Sequence, residues 1–224
     1  MIFCKEIHKK YGDRTVLDIR ELTVIEGERV ALIGANGSGK STLLRVLSGI
    51  ISYDGEISVQ GKTLYMPQKN TAFDMSVLNN VTYSLTGKRR DKEERAMEAL
   101  SKTGLSSLYK KNALSLSGGE KARLSLARIL VNDCDILLLD EPTAAVDIEG
   151  TEIIENAVNG YVKEKGCTLI TATHSPLEAA RLSDRVILLQ KGMISEDCSP
   201  GEFILNPKSD FGKKFVDMWR MPDA

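Results

Sequence analysis

The sequence has no long apolar run. Its longest uninterrupted aliphatic stretches, such as Ile136–Leu139, are four residues, against the roughly 20 needed to cross a bilayer. The first residues, Met1–Lys10, carry Lys5, Glu6, Lys9 and Lys10 and lack the apolar core of a secretory signal. The expectation is a soluble, cytosolic chain that something else must anchor if it works at a membrane. Histidine is scarce: only His8 and His174 occur, which excludes a histidine-rich metal cluster. The four cysteines, Cys4, Cys134, Cys167 and Cys198, form no CxxC pair and fit free thiols in a reducing compartment. There is no excess of either charge. Thirty Lys and Arg against 31 Asp and Glu leave a net charge of −1, which argues against a generally basic nucleic-acid binder.

What is present is enough apolar residue, 42% over 224 positions, to build a core without disulfide or metal staples. Short aliphatic runs alternate with amphipathic stretches, the pattern of an α/β sheet. Arg29–Ile33, Thr63–Met66, Asp135–Leu139, Thr168–Ala172 and Arg185–Leu189 read as strands, several apolar throughout, as strands covered on both faces are. Ile2–Ile7, Val16–Ile19 and Glu56–Val59, punctuated by Gly12-Asp13 and Asp54-Gly55, predict a small antiparallel sheet beside the main one. Met75–Leu116 shows no strand signal and reads as a helical lobe. Within it Asp91–Thr103 is a helix stopped by Gly104, and Lys88–Arg95 is its solvated face. Ser175-Pro176-Leu177-Glu178 marks another helix start with a capping box.

Three motifs carry chemistry. Gly34-Ala35-Asn36-Gly37-Ser38-Gly39-Lys40-Ser41 fits G-x-x-x-x-G-K-[ST], after a strand and opening the helix Ser41–Leu47. Glycines 34, 37 and 39 let the backbone curl so that N–H groups meet phosphate oxygens. Lys40 would neutralise the β- and γ-phosphates and the Ser41 hydroxyl would ligate Mg²⁺. Second, the strand Ile136–Leu139 runs into Asp140-Glu141-Pro142. Ligands of parallel sheets bind at strand carboxyl ends, so Asp140 can hold Mg²⁺ and Glu141 can polarise an attacking water. Third, Leu116-Ser117-Gly118-Gly119-Glu120 precedes an amphipathic helix and offers a hydroxyl and exposed N–H groups, a second anion site.

With these motifs in this order, the sequence resembles the nucleotide-binding subunits of ABC transporters across nearly its whole length. Tyr11 matches the aromatic that stacks on adenine, Gly34–Ser41 Walker A, and Gln68 in Tyr65-Met66-Pro67-Gln68 the Q-loop. Leu116–Glu120 matches the signature motif, with Glu120 where many members have Gln. Asp140 and Glu141 match Walker B and its catalytic acid, Ala144-Ala145-Val146-Asp147 the D-loop, and His174 the switch histidine.

The resemblance implies an ABC ATPase fold. It would be an α/β P-loop NTPase: a RecA-like core in residues 1–70 and 117–224, with a parallel sheet, flanking helices and a small N-terminal antiparallel β subdomain, and an inserted helical subdomain at 71–116. It implies ATP and Mg²⁺ as ligands. Tyr11, Gly34, Asn36, Gly37, Ser38, Gly39, Lys40, Ser41, Thr42, Ser117, Gly118, Gly119, Glu120 and Asp147 would contact nucleotide. Ser41, Gln68 and Asp140 would contact the metal, and Glu141, His174 and Gln68 would serve hydrolysis. It implies a head-to-tail dimer with two sandwiched ATPs, and a separate integral permease docking around residues 68–85. Phe73, Met75, Val77 and Leu78 would offer that permease an apolar cleft. An extracytoplasmic binding protein would be an indirect partner, nucleic acid would have no part, and the chain would sit on the cytoplasmic face of the cell membrane. A membrane importer is the leading reading, with a tungstate-like oxyanion as cargo suggested by the tail Ser199–Phe203, Asn206-Pro207 and Phe211–Trp219. An exporter or lipoprotein extractor, and a soluble ATPase of iron–sulfur assembly, stand as alternatives.

Overall fold

Continuously apolar strands hide both faces only inside a sheet that is covered on both sides, and these residues build one. The computed structural model describes residues 1–144 and 146–219. The first elements are β1 (Ile2–Tyr11), β2 (Arg14–Val24), β3 (Arg29–Ile33), α1 (Lys40–Leu47), β4 (Asp54–Val59) and β5 (Thr63–Met66). Then come α2 (Val77–Thr82), α3 (Arg89–Lys102), α4 (Gly118–Leu130), β6 (Ile136–Asp140) and α5 (Ile148–Lys165). The chain closes with β7 (Thr168–Thr173), α6 (Pro176–Leu182), β8 (Arg185–Gln190), β9 (Met193–Cys198), α7 (Pro200–Leu205) and α8 (Asp210–Asp217). Contacts divide the chain into two units: Met1–Tyr65, Asp135–Glu141 and the chain from Gly166 onward, and Met66–Cys134 with Pro142–Lys165.

The first unit holds a six-stranded sheet in the order β5-β6-β7-β3-β8-β9 and a three-stranded antiparallel sheet in the order β2-β1-β4. Strand side chains alternate between faces. Val30 and Leu32 of β3, with Ile187 and Leu189 of β8, pack against α1 and the antiparallel sheet through Leu43, Leu44, Ile7 and Leu17. Ala31, Ile33, Val186 and Leu188 face the other way, against Ala179, Phe203, Phe215 and Val216 of the helices α6, α7 and α8. Leu43 and Leu44 are fully buried, a gain of about 1.5–3 kcal/mol each over exposure. This double cover lets the parallel strands β6, β7, β3 and β8 form.

The second unit is built from α2 to α5, with its own core of Val77, Val81, Ala96, Leu100, Leu105 and Leu124 among others. The helix α3 begins two residues earlier than its pattern suggested, and its charged start is exposed while Ala96, Ala99 and Leu100 are buried.

Some sequence expectations are corrected. The first two strands are ten and eleven residues, not six and four. Strand β1 pairs on both sides, with β2 and β4, so polar residues such as Lys5 and His8 stay in the ladder. The parallel core of the main sheet is extended at one edge by β9, which pairs antiparallel with β8. The acidic run Met193–Cys198 gave no strand signal. Glu196 is nevertheless buried there, because it accepts the amides of Lys208 (2.9 Å) and Ser209 (2.8 Å) at the start of α8. None of the four cysteines is in a disulfide.

Candidate functional site

Parallel register brings three strand ends to one edge. Ile33 pairs with Thr173, and Asp140 with Ala172, so the chain leaves β3, β6 and β7 side by side. The segment 34–39, Glu141 and His174 follow directly.

The loop after β3 needs its glycines. Gly34, Gly37 and Gly39 have φ of 147°, 77° and 112°, a region that costs other residues strain. A Cβ on Gly34 would run into the Leu189 carbonyl oxygen, and one on Gly39 would lie 2.9 Å from Val16 O and Leu17 Cδ2. Gly39 caps α1 without a side-chain acceptor, so the first amides of the helix point out of its N-terminus as anion donors. Lys40 is 5% exposed. Its Nζ donates to Gly34 O (2.8 Å) and Ala35 O (3.3 Å) and lies 3.9 Å from Glu141 Oε1. Burial pushes its pKa below the usual lysine value, while Glu141 and Asp140 pull it up.

Asp140 is fully buried. Its Oδ1 accepts from Ser41 Oγ at 2.9 Å and its Oδ2 from the Tyr65 hydroxyl at 3.0 Å. Glu141 stands at φ 51°, an uncommon conformation for a non-glycine residue that clusters at functional sites. Its amide is held by Ala172 O at 2.9 Å. Its other oxygen, Oε2, lies 3.9 Å from His174 Nδ1, an ion pair only when the imidazole is protonated. Next to His174, Thr173 Oγ1 donates to Glu178 Oε2 (2.5 Å) and accepts from the Ser175 amide (3.0 Å). The expected capping box is therefore half formed. Ser175 Oγ takes the Glu178 amide at 3.2 Å, but the Glu178 carboxylate serves Thr173 instead. The indole of Trp219 lies 6.0 Å from the imidazole of His174.

Beside the loop is a cleft of about 480 Å³ lined by Arg14, Thr15, Asn36, Ser38, Lys191 and Phe211 among others. Tyr11 is half exposed at the end of β1, with Lys9 Nζ 5.2 Å from its ring centre. Thr42 follows Ser41 in the first turn of α1.

The remaining sequence candidates lie in the second unit. Gln68 is exposed just after β5. Ser117 caps α4, and its Oγ accepts the Glu120 amide at 3.2 Å while Glu120 Oε2 takes the Ser117 amide at 2.7 Å. That amide holds the Glu120 carboxyl below its ordinary pKa. Glu120 is thus committed to the cap, which leaves Gly118 and Gly119 at the helix start. Asp147 Oδ1 accepts the Gly150 amide at 2.9 Å. Ala145 of the same motif lies outside the described residues. Of the apolar stretch after Gln68, Val77 is fully buried in the unit's core and unavailable to a cleft. Phe73 and Tyr83 pack ring to ring at 5.4 Å and stay exposed.

The family model for ABC transporters matches residues 17–144. The chain belongs to the ABC transporter family. It is an ABC ATPase cassette in fold and enzyme class. The tungstate uptake system ATP-binding protein TupC of Peptoclostridium acidaminophilum is 36% identical over 87% of this chain and 97% of its own length. The spermidine/putrescine import ATP-binding protein PotA of Pasteurella multocida is 34% identical over 96% of this chain, which spans 63% of PotA. Among solved structures, the dimeric ATP-binding cassette MJ0796 bound to ADP and Pi is 26% identical with a TM-score of 0.82. That match covers 89% of this chain and 99% of MJ0796.

One cassette residue escapes sequence reasoning. Tyr65 reads as a strand residue, yet its hydroxyl holds Asp140 Oδ2 at 3.0 Å. The one signal was a phenol near the end of a strand of the main sheet.

Proposed function

We propose that the chain is the ATP-hydrolysing motor subunit of a membrane importer, working as a head-to-tail pair on a separate permease. The observation that carries this is the meeting of the phosphate loop with Asp140 and Glu141: Ser41 Oγ 2.9 Å from Asp140, and Lys40 Nζ 3.9 Å from Glu141. The amides of the loop and of the α1 start would hold the β- and γ-phosphates, and Lys40 would exchange its carbonyl partners for phosphate oxygens. Tyr11 would stack on the base. Glu141, nearly buried and fixed through its amide, would accept a proton from the attacking water. His174 would face the γ-phosphate. Ser117, Gly118 and Gly119 of the second copy would close on the same phosphate, with Glu120 holding that turn. Asp147 and Gln68 would report occupancy across the pair and to the permease, and Phe73 and Tyr83 would be exposed aromatics of the 68–85 docking stretch, in the helical subdomain at 71–116.

Mg²⁺ fits the residues present. A serine hydroxyl and a buried carboxylate within 2.9 Å are hard oxygen donors. Among the described residues no three His, Cys, Asp or Glu side chains gather into a cage, so the ion would complete its shell with phosphate and water. When bound it would neutralise phosphate charge. Ser41 and Asp140 would hold it.

The cargo we propose is a tungstate-like oxyanion, supported by identity to TupC along almost its full length. No helix among the described residues is long and apolar enough to cross a membrane, which accords with a peripheral place on the cytoplasmic face. The test has two parts. Purified chain is expected to release phosphate from Mg·ATP, and Lys40→Ala to lose about 10- to 100-fold in ATP affinity, since bonds to charged groups contribute about 1.5–3 kcal/mol. Unchanged affinity would refute the phosphate role. A deletion strain is expected to lose tungstate uptake and retain polyamine uptake. The reverse would replace the oxyanion with a polyamine.

A further inference from the structure

Both oxygens of the Asp140 carboxylate are held by side-chain hydroxyls, one from α1 and one from β5. Oδ1 takes the Ser41 hydroxyl directly at 2.9 Å. Oδ2 takes the Tyr65 hydroxyl at 3.0 Å. A bond to a charged group in a dry setting is short-ranged and directional. Without it Oδ2 of a fully buried carboxylate would have to find another donor or turn.

We propose that Tyr65 is a positioning residue: through its bond to Oδ2 it fixes the Asp140 carboxylate so that Oδ1 and Ser41 Oγ stand together as the protein's edge for Mg²⁺. Oδ1 is then the oxygen left to trade its serine partner for a cation, while Oδ2 keeps the plane of the carboxylate. This inference rests on the reading of Ser41 and Asp140 as the Mg²⁺ edge.

The test is binding of a non-hydrolysable ATP analogue to the full chain, measured calorimetrically with Mg²⁺ and again in EDTA. The quantity read is the ratio of the two affinities. Tyr65→Phe is expected to lower that ratio about tenfold, the scale on which partners of metal ligands act, and to leave the EDTA affinity as in the wild type. Equal loss with and without Mg²⁺ would mark a merely structural role and overturn the proposal. So would an unchanged ratio in Tyr65→Phe beside a collapsed ratio in Ser41→Ala and Asp140→Asn. If those two variants also keep the wild-type ratio, the Mg²⁺ edge itself is refuted and the role of Tyr65 with it.

Discussion

Replacing Glu141 by Gln changes one charge and almost no volume, at a place where Lys40 is nearly buried. The two side chains are 3.9 Å apart. At an effective dielectric of about 20, unit charges at that distance attract by about 4 kcal/mol. Removing one partner of a buried pair costs about 3–5 kcal/mol, but here Gly34 O, Ala35 O and the Asp140 charge still serve the ammonium. The expected net loss for the nucleotide-free variant is therefore about 2–3 kcal/mol, or roughly 5–10 °C in Tm for a chain of this length. With saturating ATP the triphosphate takes over as the anion facing Lys40, so the gap should close to within about 1 kcal/mol, against a binding gain of roughly 2.7 kcal/mol at a hundredfold excess over Kd. Hydrolysis should fall by about 10²–10⁴, the range for a lost general base. Thermal melts with and without ATP and a phosphate-release assay read all three. A Tm gap of the same size in both conditions would refute the proposed exchange of partners. Turnover within tenfold of the wild type would remove Glu141 from the chemistry.

Other expectations concern the parts that hold the site. Glu196→Ala should free the start of α8, because two backbone amides lose a buried carboxylate. A cost of about 3 kcal/mol is expected from two charge-assisted bonds, read as new protease cleavage near residues 206–210 and a red shift of the single tryptophan, Trp219. Unchanged emission and digestion would contradict that role for Glu196. Glu120→Gln should cost about 0.3–1 kcal/mol at pH 7, as for a carboxylate at a helix N-terminus. The folded pKa of Glu120 is depressed, so its contribution is full above the unfolded value of about 4.3 and disappears as pH falls through the folded value. Urea melts of the two proteins should therefore converge at low pH, and a constant difference would contradict the cap.

How much of this was legible beforehand depends on whether a feature is local. The phosphate loop shows in the sequence because each glycine answers a backbone need within a few residues: Gly34 and Gly39 meet Leu189 and Val16 too closely for a Cβ. The strand Ile136–Asp140 shows because parallel strands are apolar on both faces. The cap at Ser117 shows because both partners lie within three residues. The rest depends on partners far away in sequence. Glu196 looks like a surface acid until Lys208 and Ser209 fold back on it. Tyr65 looks like an ordinary strand aromatic until β5 and β6 are placed in one sheet and Asp140 comes within 3.0 Å. Glu178 looks like the second half of a capping box, and only the turn of β7 shows that Thr173 claims it. The apolar stretch 73–78 reads as one patch, yet helix α2 turns Val77 into the core while Phe73 stays outside.

The pairing of two copies around ATP is the centre of the proposed mechanism, and sedimentation of the Glu141→Gln protein tests it most directly. Without nucleotide it should run at the 24.6 kDa of one chain. With saturating Mg·ATP it should run at twice that mass, and adding Ser117→Arg should return it to one. A single-chain mass for Glu141→Gln at saturating Mg·ATP would contradict the sandwich, and with it the assignment of Ser117 to the partner's phosphate.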